Sequence, residues 1–434
     1  MCRTGGEPPP RAATGPGHDA PPKGPALAGG LLDALVPPGG TDGAPGAARA
    51  PGGGAFEHLD AAAVDTDVPA AVGTALAEVL RDRLAEAARL DEAFAEDLAT
   101  RTARFTAGGK RMRSGFLWWG LRACTAPDAA GTRTALRVAA GLELLQTCAL
   151  VHDDVMDDSP LRRGAPALHV ALADRYAGAV PRPRAAALGR AAAVLAGDLA
   201  LAWADDTVAE ALAGPDLAPG VPAAVGAVWR AMRTEMVAGQ YLDLHGQVAG
   251  ERTPARALRT AYLKSASYSV ERPLALGAAL AGADERTTRE LCAAGSAAGI
   301  AFQLRDDLAG VFGDPAHTGK RAGEDVRAGK ATSLVATARA LAREQGRQDT
   351  LAVLDRRLGD PDLSDTELDR VREVLARGGA RDAVESAVAD LVARSLAALD
   401  RADVDARARE RLRAMVHAAA GTAGPAAAGG AGPR

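Results

Sequence analysis

Four aspartates fall within six residues, at Asp153, Asp154, Asp157 and Asp158, directly after the apolar run Leu144-Leu145-Gln146-Thr147-Cys148-Ala149-Leu150-Val151. On a helix, residues four apart share a face, so Asp153 and Asp157 stack one turn apart with Asp154 beside them. Like charges this close repel one another unless a cation lies between them. Oxygen-only ligands suit Mg²⁺, which is commonly held by one or two carboxylates plus substrate phosphates. A solvated helix end explains an isolated acidic cluster equally well. Acids at the mouth of a buried helix are costly, however, and that favours a metal–phosphate site. A second pair, Asp306-Asp307, again stands near the end of an apolar helix, with Asp314 and Lys320 in the glycine-containing stretch that follows. Two acidic clusters on different helices can face each other across a bundle, and metals between them can clamp one diphosphate from both sides.

The basic residues point the same way. Arginine outnumbers lysine 46 to 5. Lys23 lies in a low-complexity stretch, and the other four are Lys110, Lys264, Lys320 and Lys330. Lysine is a compact, mobile point charge, useful against phosphate. Lys110, Arg111 and Arg113 follow Gly108-Gly109, where the backbone can approach an anion closely. Arg162 and Arg163 follow the first acidic cluster.

The elements that must carry these groups read as helices. With 47% hydrophobic but only 3% aromatic residues, the core must be built from Ala, Leu and Val, which favours helix over sheet. Apolar spacing of three and four predicts helices over about 68–87, 90–105, 111–124, 131–157, 185–213, 220–249, 254–267, 269–281, 286–311, 331–345, 364–377, 380–399 and 402–419. The expected fold class is therefore all-α, a single large bundle over residues 66–420. Residues 1–65, rich in Gly, Pro and Ala, and 421–434 are expected to be disordered tails.

Net charge is −4, which gives no general attraction to nucleic acid. The apolar run at 138–151 is too short and too polar for a bilayer, so no integral membrane segment is expected. The four cysteines show no zinc or CxxC spacing, and no apolar secretory signal follows Met1. The default setting is a reduced cytoplasm.

Taken in order, Gly108 to Arg113, Glu143-Leu144-Leu145-Gln146, Asp153-Asp154-Val155-Met156-Asp157 with Arg162-Arg163-Gly164, Gly197-Asp198, Gly239 to Leu244, Lys264-Ser265, Phe302-Gln303 with Asp306-Asp307, and Gly319-Lys320 through Lys330 resemble the polyprenyl synthetase family, the isoprenyl diphosphate synthases. The resemblance covers roughly residues 70–420 and implies the isoprenoid synthase type of bundle. It also implies a trans-prenyltransferase that joins isopentenyl diphosphate to allylic diphosphates, and a homodimer. By position, Asp153, Asp154, Asp157, Asp306 and Asp307 would bind Mg²⁺. Arg162, Lys264, Gln303, Lys320 and Lys330 would hold the allylic diphosphate, and Lys110, Arg113, Gln146 and Arg163 isopentenyl diphosphate. Gln240 and Asp243 would support the metals. The chain departs from the family at Gly310, where the second motif usually ends in an acid. Ser114 and Ser265 are milder departures, where Pro and Thr are common.

No protein nucleophile is needed for this chemistry, and His152 and His245 are expected to be structural. In the family, bulky aromatics four or five residues before the first Asp stop growth early. Here those positions are the small Ala149 and Cys148, and the first bulky groups below them are Leu145 and Leu142. The expected product is longer than farnesyl, namely geranylgeranyl diphosphate. A farnesyl or longer-chain synthase is the alternative. A class I terpene cyclase fits less well, because the chain contains no asparagine for the cyclase type of second metal motif. An inactive regulatory subunit would be expected to show eroded acidic clusters.

Overall fold

A computed structural model describes residues 60–249, 253–313 and 323–422 of the 434-residue chain. The chain begins there with α1 (Ala61–Thr66) and α2 (Val68–Leu90). A π-helical turn, Phe94–Ala99, leads into α3 (Thr100–Thr106), then α4 (Met112–Cys124) and α5 (Ala129–Met156). A two-residue hairpin, β1 (Leu161–Arg162) against β2 (Ala165–Pro166), precedes α6 (Leu168–Tyr176), α7 (Arg182–Leu212) and α8 (Val221–Ala249). One continuous rod follows, made of α9 (Pro254–Ala261), a π-helix at Tyr262–Glu271, and α10 (Arg272–Leu280). The described chain ends with α11 (Glu285–Phe312), α12 (Glu324–Arg327), α13 (Ser333–Glu344), α14 (Gln348–Arg357), α15 (Asp365–Arg377), α16 (Ala380–Arg401) and α17 (Ala406–Ala420).

The all-α expectation holds, with the hairpin as the one small sheet among the described residues. The short α6 and α14 were not legible as separate helices. The two helices expected across 254–281 are one rod, because the π-helix carries the chain through the place where a break was read.

The scarcity of aromatics is met by close backbone approach. A Cβ on Gly277 of α10 would stand 2.3 Å from the Leu117 carbonyl of α4, and one on Gly299 of α11 would stand 2.4 Å from the Ala266 carbonyl. Glycine thus lets the π-helix rod sit directly on α4 and α11. A short cluster of Glu235, Ser267 and Arg272 fastens the same rod to α8: Arg272 donates Nε at 2.9 Å and Nη2 at 2.6 Å to Glu235, and Ser267 Oγ donates at 2.8 Å.

The N-terminal boundary needs correction. Residues 60–65 were expected in a disordered tail, yet Asp60 caps α1 by accepting from the Ala63 amide at 2.8 Å. Asp65 is buried, where it accepts from Trp118 Nε1 at 2.9 Å and from Arg122 Nε and Nη2 at 3.0 Å each. The signal was hidden because a single buried acid does not show in composition.

Among the described residues, two helices, α5 and α7, are long and apolar enough to cross a membrane. In α5 the apolar window is 72% buried inside the bundle, as a core helix would be; in α7 only 33% is, and Val194 and Leu195 are exposed.

Candidate active site

The C-terminal end of α5 carries the first acidic cluster, and Asp153, Asp154 and Asp157 each meet a cation. Asp153 Oδ1 accepts from Lys264 Nζ at 3.1 Å and from Gln240 Nε2 at 3.2 Å, while Oδ2 accepts from Arg162 Nη2 at 3.3 Å. Arg162 also donates Nε to Asp154 Oδ1 at 2.8 Å. Lys330 Nζ reaches Asp157 Oδ2 at 2.7 Å, and Lys264 Nζ reaches Asp243 Oδ2 at 2.5 Å. Burial alone would raise the Asp153 pKa, but Lys264, Lys330 and Arg162 together hold it below the usual carboxylate value. Burial pushes Asp154 the other way despite Arg162. Lys264 and Lys330 keep their charge, since the facing carboxylates outweigh the cost of burial.

These groups line one cavity of about 580 Å³, within the range of ordinary ligand pockets. Asp153, Arg162, Gln240, Asp243, Lys264 and Ser265 stand on its walls together with Gln303, Asp306, Asp307 and Lys330. Both acidic motifs therefore meet across a single space. Asp154 is fully buried and does not line it, and Asp157 approaches through Lys330. On the opposite side Asp306 is exposed, while Asp307 is drawn inward by Gln303 Nε2 at 2.9 Å and by the Ser333 amide at 2.9 Å. Burial lifts Asp307 to about 7; the hydrogen bond from Gln303 lowers it, and repulsion from Asp325 and Asp306 adds to the rise. Lys320 and Asp314 lie outside the described residues.

The loops are shaped for anions. Arg163 (φ 54°) and Gly164 (φ 76°) form the two-residue turn of the β1–β2 hairpin, with both residues in the left-handed region that such a turn requires. The turn sends Arg162 back to the acids and lays Arg163 over the Gly108-Gly109 loop. A Cβ at Gly108 would stand 2.9 Å from Arg163 Nη1, and one at Gly109 3.1 Å from Nη2. Arg111 (φ 48°) and Asp158 (φ 49°) share the left-handed conformation, so every described non-glycine residue with positive φ borders this region. Strain of this kind concentrates at functional sites.

Arg113 opens α4, donates Nη2 to Ser269 Oγ at 2.8 Å and lies 4.4 Å over the Tyr268 ring. Helix N-termini attract anions. Burial lowers the Arg163 pKa; Glu143 opposes this, while Arg162, Arg111 and Arg113 add to it. That is a cationic patch short of negative charge. Lys110 is exposed beside it, and the Gln146 Oε1 is buried without a partner. Ser114 donates to Glu143 Oε1 at 2.6 Å, so the hydroxyl found where Pro is common has its own work.

The chain-length wall differs from expectation. Cys148 and Ala149 do line the cavity, but Leu145 and Leu142 are fully enclosed and do not. As a whole, α5 packs most extensively against α7. Tyr268 of the π-helix, together with Leu201 of α7 and Met236 of α8, lines the cavity instead. Sequence reasoning missed these residues because they come from helices remote in the chain. His152 has structural partners: Nε2 lies 3.1 Å from the Val194 carbonyl, and a Cβ on Gly197 would collide with its ring. His245 sits beside Tyr241, with ring centroids 5.9 Å apart.

The sequence model of the polyprenyl synthetase family matches residues 97–369. The chain belongs to that family. As a polyprenyl synthetase it is an enzyme, a prenyl transferase of the isoprenyl diphosphate synthase kind. It is 30% identical over 311 residues to the geranylfarnesyl diphosphate synthase of Aeropyrum pernix, covering 71% of this chain and 89% of that protein. It is 33% identical to the farnesyl diphosphate synthase of Geobacillus stearothermophilus, over 60% of this chain and 79% of that one. The solved geranylgeranyl pyrophosphate synthase of Corynebacterium glutamicum, complexed with isoprenyl diphosphate and magnesium, superposes with a TM-score of 0.75 at 34% identity. It covers 81% of this chain and 98% of its own. The three relatives carry three different product names, so membership in the family leaves product length open.

In this synthase the donor set is consistent with a hard divalent cation. It is built of carboxylate oxygens, and an excess of acid around Asp307 would be relieved by added positive charge. Among the described residues, no three or more such side chains converge into a metal cage by themselves.

The Asp307 shift has a consequence for stability. Its folded value near 7 lies above the ordinary 3.8, so between those values the folded state holds a proton that the unfolded chain has lost. Stability in chelator is then expected to fall as pH rises from about 4 through 7. Denaturant melts of wild type and Asp307→Asn at pH 5 and pH 8 check this. The variant should show the smaller decline, and an equal decline in both would refute it.

Proposed function

We propose that this prenyltransferase condenses isopentenyl diphosphate with dimethylallyl, geranyl and farnesyl diphosphates by Mg²⁺-dependent ionisation, condensation and elimination. We propose further that its end product is geranylgeranyl diphosphate. The observation that carries the reading is the meeting of both acidic motifs, Lys264 and Lys330 around one cavity.

Asp153, Asp157, Asp306 and Asp307 would hold Mg²⁺, which when bound withdraws negative charge from the departing diphosphate. The fully buried Asp154 would act chiefly by orienting Arg162. Arg162, Lys264 and Lys330 stand ready to turn from carboxylate to diphosphate oxygens as the allylic C–O bond breaks. Gln240 and Asp243 steady Asp153 and Lys264, and Gln303 steadies Asp307. Arg113, Arg163 and Lys110 would seat the diphosphate of isopentenyl diphosphate at the N-terminus of α4, with Gln146 offering a polar contact nearby. The alkene then attacks the allylic cation, and a proton leaves to the released diphosphate.

Small side chains at Cys148 and Ala149 support a product longer than farnesyl. Incubation with Mg²⁺, labelled isopentenyl diphosphate and each allylic starter, followed by chromatography of the dephosphorylated products, tests the whole reading. A C20 alcohol is expected from all three starters, and Ala149→Phe is expected to shift the main product to C15. No elongation from a folded protein would reject the synthase reading; an unchanged product from the variant would reject the pocket argument.

The half-exposed apolar α7 supports a homodimer, with a second copy covering Val194 and Leu195. Sedimentation equilibrium is expected to give twice the 44.1 kDa chain mass; a monomer would reject it. The reduced cytoplasm remains the setting we favour. Cys124, Cys148 and Cys292 are free, and burial raises the pKa of all three thiols.

A further inference from the structure

Lys264 stands on a stretch of unusual winding. From Tyr262 to Glu271 the rod is π-helical for 10 residues, although π-helices are mostly single turns and recur at functional sites. Such a stretch needs side chains to hold its register. One hydrogen bond joins its first residue to its last: Tyr262 Oη donates to Glu271 Oε2 at 2.9 Å, with both residues buried. Burial, and then the Glu271 carboxylate, raise the Tyr262 pKa, so the phenol keeps the proton that it donates. Arg272 Nη1 faces the other Glu271 oxygen at 3.6 Å.

That bond requires the π winding. At about 100° and about 1.5 Å per residue, an α-helix puts residues nine apart on opposite faces and about 13 Å apart along the axis. With each amide bonded to the fifth carbonyl back, a π-helix takes more than four residues per turn, and nine residues make about two full turns. Tyr262 and Glu271 then share a face. The packing against α11 keeps the same register. A Cβ on Gly299 would stand 2.4 Å from the Ala266 carbonyl, and one on Gly295 2.7 Å from the Glu271 Cα. Gly295 and Gly299 are one α turn apart, whereas Ala266 and Glu271 are one π turn apart. In an α-helix those two residues would diverge by about 140°.

The winding decides what the rod can reach. Near its start, Lys264 Nζ meets Asp153 at 3.1 Å and Asp243 at 2.5 Å, and Gly239 of α8 presses on its backbone. Further along, Tyr268 carries the Arg113 guanidinium 4.4 Å over its ring, and Ser269 Oγ accepts from Arg113 Nη2 at 2.8 Å. A return to α winding would turn Ser269 relative to Lys264 by about a quarter turn, and Arg113 would lose both supports.

We propose that the Tyr262–Glu271 hydrogen bond is a register lock, and that these two are positioning residues that hold Arg113, on the isopentenyl diphosphate side, in fixed relation to Lys264, on the allylic side. This rests on the roles given to Arg113 and Lys264 above. Lys264 is clamped by Gly239 and two carboxylates, so slippage of the winding falls on the Arg113 end.

Steady-state kinetics with each substrate varied in turn, paired with thermal melts, test the lock. Tyr262→Phe is expected to raise the KM for isopentenyl diphosphate about tenfold, the scale of one buried hydrogen bond, while the KM for the allylic starter stays near wild type. Glu271→Gln, whose side-chain carbonyl still accepts from the phenol, should behave as wild type. Tyr262→Phe/Glu271→Leu removes both partners and leaves neither unpaired. It should melt near wild type and still show the raised KM, a separation that a merely structural pair would not produce. Ser395→Ala, which removes a buried bond to the Ala294 carbonyl of α11, should lower the melting temperature alone. Wild-type KM values in both Tyr262 variants, an equal rise for both substrates, or a loss in Glu271→Gln as large as in Tyr262→Phe would each overturn the proposal. An unchanged KM for isopentenyl diphosphate in Arg113→Ala would instead remove the role of Arg113 on which it stands.

Discussion

Asp153→Asn is expected to lower kcat by about 10³-fold while changing the KM for the allylic diphosphate much less, on the scale seen when one group that stabilises developing charge is removed. The residue stands where the site's cations converge. Lys264 and Gln240 meet one oxygen, and Arg162 meets the other. Held below the usual carboxylate value, it is fully ionised at neutral pH. Removing that charge leaves Lys264 and Arg162 with a weaker internal partner, so their grip on a diphosphate in the ground state does not loosen. What is lost is the metal-binding oxygen and the position of Lys264, which matter most when the C–O bond breaks. Steady-state kinetics over a Mg²⁺ series check this: the variant should need more Mg²⁺ and still fall short at saturation. Asp154→Asn, fully buried and acting through Arg162, should cost far less. Equal losses at the two positions would mean that Asp153 does no more than fix its neighbours.

Which of these groups could be read from the chain follows from how local their signals are. The first acidic cluster, the Gly108-Gly109 loop and the four retained lysines each sit in a short run whose residue types already imply anion and metal chemistry, and the fold brings the described ones to one region. The helices were legible because Ala- and Leu-rich amphipathic periods are long. Tyr268 and Asp65 were not legible, each for the reason that its partner lies far away in sequence. Tyr268 lines a cavity whose other wall is α5. Asp65 is buried only because Trp118 and Arg122 close over it. The expectation for Leu145 failed for the converse reason: helical spacing gives a direction and a depth, but not which neighbouring helix has already filled that space.

The π-helix that carries Lys264 shows how far a single methyl group can reach. Gly239 of α8 faces that turn so closely that a Cβ would stand 2.2 Å from the Lys264 nitrogen and 2.4 Å from its Cα. The obstacle is backbone, not a flexible side chain, so Gly239→Ala must push the two elements apart. Overpacking of this kind costs about 1–3 kcal/mol, and it would fall on a segment that Glu235 also fastens to α8 through Ser267 and Arg272. The strain therefore cannot relax by sliding the rod away without breaking those bonds. The Lys264 ammonium would shift relative to Asp153 and Asp243, and a displacement near 1 Å at a reacting centre can cost about 10²-fold in rate. Gly239→Ala is accordingly expected to lose about that factor in kcat and to melt at a lower temperature. Gly226→Ala on the same helix, with nothing within 4 Å of the added carbon, should keep full activity and melt no lower, since alanine is the better helix former. Paired melting curves and kinetics of the two variants decide the matter. Full activity in Gly239→Ala would mean that the Lys264 turn is not held where the close contact puts it.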